Sequence, residues 1–86
     1  MYIAINPTNG EELHRYETFD QAQVDASINN AAQAYKSWRK TDFAERAALL
    51  NKVAEQLREG EEHLAKLMTL EMGKPIKEAR GEVQKA

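Results

Sequence analysis

The stretch Asp20–Gly60, DQAQVDASINNAAQAYKSWRKTDFAERAALLNKVAEQLREG, decides the fold class. Within it Val24, Ile28, Ala31, Tyr35 and Trp38 recur at steps of 4, 3, 4 and 3, the spacing that lays apolar side chains along one face of an α-helix. Asp20 is placed to accept from first-turn amides with Gln23 at the capping-box position, while Thr18 with Gln21 offers a competing start two residues earlier. Arg39 and Lys40 bring positive charge to the carboxyl end, where the helix dipole favours it. After a very short linker, Thr41-Asp42 caps a second helix, with Asp42 and Glu45 as a capping-box pair. Its stripe is Phe43, Ala47, Leu50, Ala54 and Leu57, widened by Leu49 and Val53, and Gly60 suits a left-handed terminating position.

Toward the carboxyl terminus a third helix opens at Glu61-Glu62, acidic residues that suit a first turn, and runs through Leu64, Leu67, Met68 and Met72 to a stop at Gly73. Pro75 stands at the first position of a fourth helix marked by Ile76, Ala79 and Val83, weakened at Gly81 by about 1 kcal/mol relative to alanine. No glycine, proline or capping signal follows Val83, so the sequence is expected to stop inside a helix, a mark of truncation. At the other end, Tyr2, Ile3 and Ile5 have β-forming side chains, Asn6-Pro7-Thr8-Asn9-Gly10 is dense in turn residues, and Leu13 to Tyr16 resumes a short mixed run. Pro7 presets one turn position and Asn9-Gly10 adopts positive φ cheaply. The expected protein is therefore mainly α with an N-terminal β-hairpin over residues 1–17 and three to four helices over 18–86. Broad helical stripes need partners, which favours an antiparallel helical cluster with the hairpin laid along it.

Length and charge narrow the function. Eighty-six residues form at most one small domain. Twelve Lys and Arg against 14 Asp and Glu give a net charge of -2, which offers no basic footprint for nucleic acid. No stretch is long and apolar enough to span a membrane, and the amino terminus lacks a basic start followed by an apolar run, so a cytoplasmic location is expected. The chain has no cysteine, hence no thiol nucleophile, thiolate metal site or disulfide of its own. His14 falls in the hairpin and His63 in the first turn of a helix, neither with a partner at zinc-helix spacing, and both read as structural or solvated. The run Glu55, Glu59, Glu61, Glu62 reads as a solvated face, and Gly73-Lys74-Pro75 lacks the second glycine and preceding strand of a phosphate loop.

Five short stretches in register carry a family resemblance. They are Ile5-Asn6-Pro7-Thr8-Asn9-Gly10-Glu11, Tyr35-Lys36-Ser37-Trp38-Arg39, Glu45-Arg46-Ala47 with Leu50, Leu70-Glu71-Met72-Gly73-Lys74-Pro75, and Ala79-Arg80-Gly81-Glu82-Val83. Together they resemble the amino-terminal segment of the NAD(P)-dependent aldehyde dehydrogenase superfamily, and among its branches most resemble the succinate-semialdehyde dehydrogenases. The resemblance implies one incomplete domain, part of the α/β cofactor-binding domain of a larger enzyme that oxidises an aldehyde to an acid with NAD or NADP. In that family the attacking cysteine, the glutamate that activates water and the main nicotinamide-binding residues all lie downstream, so the resemblance assigns this chain no catalytic and no cofactor-binding residue. No cofactor is expected on the chain alone. Its implied partners are the remainder of the enzyme chain, the aldehyde substrate and further subunits of a homo-oligomer.

One site follows from the same resemblance. Some members hold a structural monovalent cation with a backbone carbonyl before the Asn-Pro turn and an acidic residue before the Gly-Lys-Pro stretch, which correspond here to Ile5 and Glu71. The competing reading of the whole chain is a stand-alone helical interaction module or split-enzyme subunit without catalytic activity. It is separated from the first by whether the apolar faces find their cover within the chain.

Overall fold

Capping chemistry and glycine placement set the element boundaries along the chain. The computed structural model describes residues 1–86 as β1 (Tyr2–Ile5), β2 (Glu12–Tyr16), α1 (Gln21–Trp38), α2 (Phe43–Glu59), α3 (Glu61–Met72) and α4 (Ile76–Lys85). The strands pair antiparallel with Tyr2 opposite Tyr16, Ile3 opposite Arg15, Ala4 opposite His14 and Ile5 opposite Glu12. The register shifts between Ala4 and Ile5, which leaves Leu13 as the extra residue of a bulge that turns the ladder.

Asp20 wins the contest for the start of α1. Its carboxylate accepts from the Gln23 amide at 2.8 Å and the Gln23 side chain accepts from the Asp20 amide at 2.9 Å, which closes a full capping box. Thr18 instead accepts from the terminal ammonium of Met1 at 2.6 Å and ties the chain's start to the residue after the hairpin. Asp42 accepts from the Glu45 amide at 2.8 Å, but only this half of the expected reciprocal pair forms. Gly73 ends α3 in the left-handed region at φ 70°, as expected. Gly60 does not take that conformation. With φ at -92° it is the single residue between α2 and α3, and its carbonyl accepts from Leu64 as α3 begins. Pro75 sits one position outside α4 and caps it with an extended backbone, where its missing N–H costs nothing.

The expected antiparallel cluster does not form. The packed pairs are α3 with α4, α2 with each of these, β1 with β2, and α3 with β1, and α1 belongs to none of them. Only Ala65, Ala79 and Val83 are buried, with Leu57, Leu64 and Met68 against them. The radius of gyration is 17.4 Å, against about 12 Å for a compact chain of this length. The body measures 48 × 35 × 13 Å, so its thinnest dimension is about one helix diameter. The apolar faces of α3 and α4 cover each other, whereas that of α1 finds no cover within the chain, and a second layer is what such a face requires.

Candidate functional site

Two places bring sequence-distant residues together. At the first, the turn after β1 meets the end of α3. Asn6 organises that turn: its carbonyl accepts from Gly10 and its amide donates to Glu11, each at 2.8 Å, while its side-chain oxygen accepts from Thr8 at 2.9 Å. Asn9 adds a bond from the Glu11 amide at 3.0 Å, and Gly10 completes the reversal at φ 76°. The turn is thus fixed by its own side chains. Gly73 lies so near that a Cβ there would stand 3.1 Å from Pro7 Cγ. A glycine is required on two counts, the left-handed backbone and the close approach of Pro7.

This corner contains both residues of the expected cation site. Ile5 ends β1 and Glu71 lies in the last turn of α3, and β1 and α3 are in contact. The Glu71 side chain is exposed and enters no ion pair. A backbone carbonyl and a carboxylate are hard oxygen donors, the chemistry a hard cation takes, but such ions use about six or more oxygens. No three or more His, Cys, Asp or Glu side chains converge anywhere in the chain. The His14 ring lies tilted against that of Tyr16, ring centres 4.6 Å apart.

One ion pair links α4 to α3, and a second links α4 to the turn that precedes it. Arg80 grips Glu62 with two bonds of 2.7 and 3.2 Å, and Lys74 pairs with Glu82. The hydrogen bond from Arg80 and its charge hold the Glu62 carboxyl below the usual carboxylate range. Glu62 in turn raises Arg80 above the ordinary guanidinium range. Both partners are solvated, so the pair orients α4 more than it stabilises it.

The second place is the elbow between α1 and α2. Arg46 donates to Thr41 Oγ1 at 2.8 Å and to the Trp38 carbonyl at 3.1 Å, and its guanidinium lies 5.2 Å from the centre of the Trp38 ring. Thr41 also donates to the Trp38 carbonyl at 2.7 Å. These contacts satisfy the end of α1 and fix its angle to α2. Beside the elbow an apolar groove of 640 Å³ is lined by Ala31, Ala34, Tyr35, Ser37, Trp38 and Thr41. Sequence reasoning quoted Glu45-Arg46-Ala47 without a role for Arg46. The signal available was a cation placed one turn into α2, within reach of the unsatisfied carbonyls ending α1.

The hairpin is fixed by an Asn-Pro turn, lies against a Gly-Lys-Pro helix end and is followed by helices whose apolar faces are uncovered. The chain belongs to the aldehyde dehydrogenase family, whose sequence pattern matches residues 2–86. It is 40% identical over 82 residues to the succinate-semialdehyde dehydrogenase [NADP(+)] of Deinococcus radiodurans, a match covering 95% of this chain and 17% of the relative. Malonate-semialdehyde dehydrogenase 2 of Shouchella clausii is 39% identical over 96% of this chain and 17% of its own. Among solved structures, the succinic semialdehyde dehydrogenase of Streptococcus pyogenes in complex with NADP+ superposes with a TM-score of 0.88 at 38% identity, over 98% of this chain and 19% of that one. The glyceraldehyde-3-phosphate dehydrogenase GapN of Methanocaldococcus jannaschii, complexed with NADP, gives 0.86 at 29% identity, over 95% and 18%. The chain therefore spans about a fifth or less of the length of the relatives it matches, and it has the shape that their corresponding segment has.

Proposed function

We propose that the chain is the N-terminal structural segment of an NAD(P)-dependent dehydrogenase that oxidises an aldehyde to its carboxylic acid, with succinate semialdehyde the first substrate to test. The observation that carries this reading is the uncovered apolar surface of a chain only one helix thick. Phe43 is 86% exposed, Leu50 65% and Ile28 62%, side chains that monomeric surfaces of this size seldom cluster in the open. Their cover is the rest of the enzyme, which also supplies the nucleophile, since this chain has no cysteine. Residues 1–17 and 18–86 then act as one incomplete domain, and the 86-residue chain alone turns over no aldehyde.

The same reading gives the Ile5 carbonyl and the Glu71 carboxylate to a structural monovalent cation. Support comes from the Pro7–Gly73 contact, which locks the end of β1 and the end of α3 into one corner. The remaining ligands come from beyond these residues. A cytoplasmic homo-oligomer completes the picture; it rests on the resemblance, together with the finding that no helix is long and apolar enough to cross a membrane.

The test is to isolate the native gene product, weigh it, and measure aldehyde-dependent reduction of NAD and NADP with succinate and malonate semialdehydes. Reduction by a species several times heavier than 9.8 kDa supports the reading. A native species of 9.8 kDa with no activity in any combination defeats it and favours the interaction module.

A further inference from the structure

We propose that the 86-residue chain, on its own, pairs with a second copy of itself through α1, the two helices antiparallel and centred on Ala31. The inference rests on the reading that this face is covered by other residues in the assembled enzyme and is left open in the chain alone. Its accessible surface is 7308 Å², roughly 2,100 Å² more than a compact protein of the same mass presents. A stable interface takes only about 800 Å² from each partner.

Several features of α1 select it over the other open faces and set its direction. It joins no packed pair, and none of its residues is buried. Val24 and Trp38 mark the ends of its stripe and are 39% and 41% exposed, while Ile28 and Tyr35 between them are 62% and 60% exposed. Ala31 is the midpoint, with Ser27 and Ala34 beside it, so small side chains sit where two crossing helices must approach most closely. Reversing the helix about Ala31 sets Val24 of each copy against Trp38 of the other and Ile28 against Ala34 and Tyr35. The groove beside Trp38 thereby receives the branched side chains of the second copy.

Charge distinguishes the antiparallel arrangement from the parallel one. At 100° per residue Asp25, Lys36 and Arg39 fall on the same flank of the stripe, with Asp25 near one end and the two cations near the other. A twofold axis through Ala31 joins like flanks at opposite ends. Asp25 of each copy therefore meets Lys36 and Arg39 of the other, twice by symmetry, whereas a parallel twofold pair joins opposite flanks and leaves Asp25 without either cation. All three side chains are exposed, and Gln21 engages only Oδ1 of Asp25, leaving Oδ2 free. A net charge of -2 leaves little general repulsion between copies.

Sedimentation equilibrium of the 86-residue chain tests this. The expected mass is twice 9.8 kDa at high concentration, falling to 9.8 kDa on dilution. Ile28→Glu is expected to give a monomer with unchanged helical circular dichroism, because Ile28 touches no buried residue of its own chain. Asp25→Lys should weaken pairing about tenfold, and adding Lys36→Glu with Arg39→Glu should restore it to within about threefold. A chain that stays at 9.8 kDa up to its solubility limit overturns the proposal. So does association indifferent to Ile28→Glu, or a charge-reversed triple variant no better than Asp25→Lys. None of these outcomes touches the dehydrogenase reading, which stands or falls on the activity of the native gene product.

Discussion

In the carboxyl-terminal half, Ala65, Ala79 and Val83 lose essentially all contact with solvent as α4 lies along α3; Arg80 pairs with Glu62 across the two helices, and Lys74 in the turn between them pairs with Glu82. In the amino-terminal half, α1 and α2 have the longer apolar stripes and yet bury no residue at all. The shorter helices cover each other because Ala65 and Ala79 permit close approach and the Gly73-Lys74-Pro75 turn folds α4 back onto α3. The longer helices end in an elbow that holds their angle without covering their faces. Apolar content alone thus does not make a core; a second surface must be within reach.

The sharpest way to break this contrast is to place the same charge in each half. Ala79→Asp puts an unpaired carboxylate at a position with no exposure and is expected to cost about 3–5 kcal/mol, melting α4 from α3. Ile28→Asp, at a position 62% exposed, should cost the monomer less than about 1 kcal/mol. Denaturant titration followed by circular dichroism at low protein concentration measures both, and equal losses would contradict the division into closed and open halves.

A pair of glycine substitutions sharpens the account of the corner. Gly73→Ala meets both a left-handed backbone and Pro7, and is expected to destabilise by about 2 kcal/mol. Gly10→Ala has the same backbone sign with nothing within 4 Å, and about 1 kcal/mol is expected. The difference, read from hydrogen exchange of the β1 amides, isolates the hairpin's contact with α3. Asp20→Ala, which removes one acceptor and breaks the capping box of α1, should cost about 1 kcal/mol and fray only the first turn.

Acid gives the smallest effect and has a defined sign. Because the hydrogen bond from Arg80 lowers the Glu62 pKa in the folded chain, the folded state binds a proton there less readily than the unfolded state does. The contribution is present in full above the ordinary glutamate range and is lost as pH falls through the lowered value. Protection of the α4 amides, taken relative to their intrinsic exchange rate at each pH, should therefore fall in acid, and Glu62→Gln should flatten that part of the profile. The solvated pair limits the size of the change.

Most elements were legible because their signals are local. Val24 to Trp38 shows the period of α1, Asp20 with Gln23 and Thr18 with Gln21 bracket its start within two residues, and Gly73 marks the stop of α3. Gly60 misled because α3 begins directly after it, and a chain that continues into another helix needs no left-handed reversal. The arrangement was not legible. A stripe states that a face needs cover but not which surface supplies it, and the expected cluster assumed that the cover lay inside the chain. The corner was half legible: Asn6-Pro7 and Gly73-Lys74 stood out as motifs, but their contact joins residues from opposite ends of the sequence, and no local rule pairs Pro7 with Gly73.

The proposed function requires the uncovered faces of this chain to fit the remainder of an aldehyde dehydrogenase. The most direct measurement replaces the corresponding segment of the Deinococcus radiodurans succinate-semialdehyde dehydrogenase with residues 2–86 and follows succinate semialdehyde-dependent reduction of NADP by the purified chimera. The account predicts a folded chimera that retains activity within about tenfold of the parent, a barrier change of about 1.4 kcal/mol, and that loses it when Ile28→Glu is introduced. A chimera that fails to fold or assemble as the parent does, or one that keeps its activity when Ile28→Glu is introduced, would contradict it.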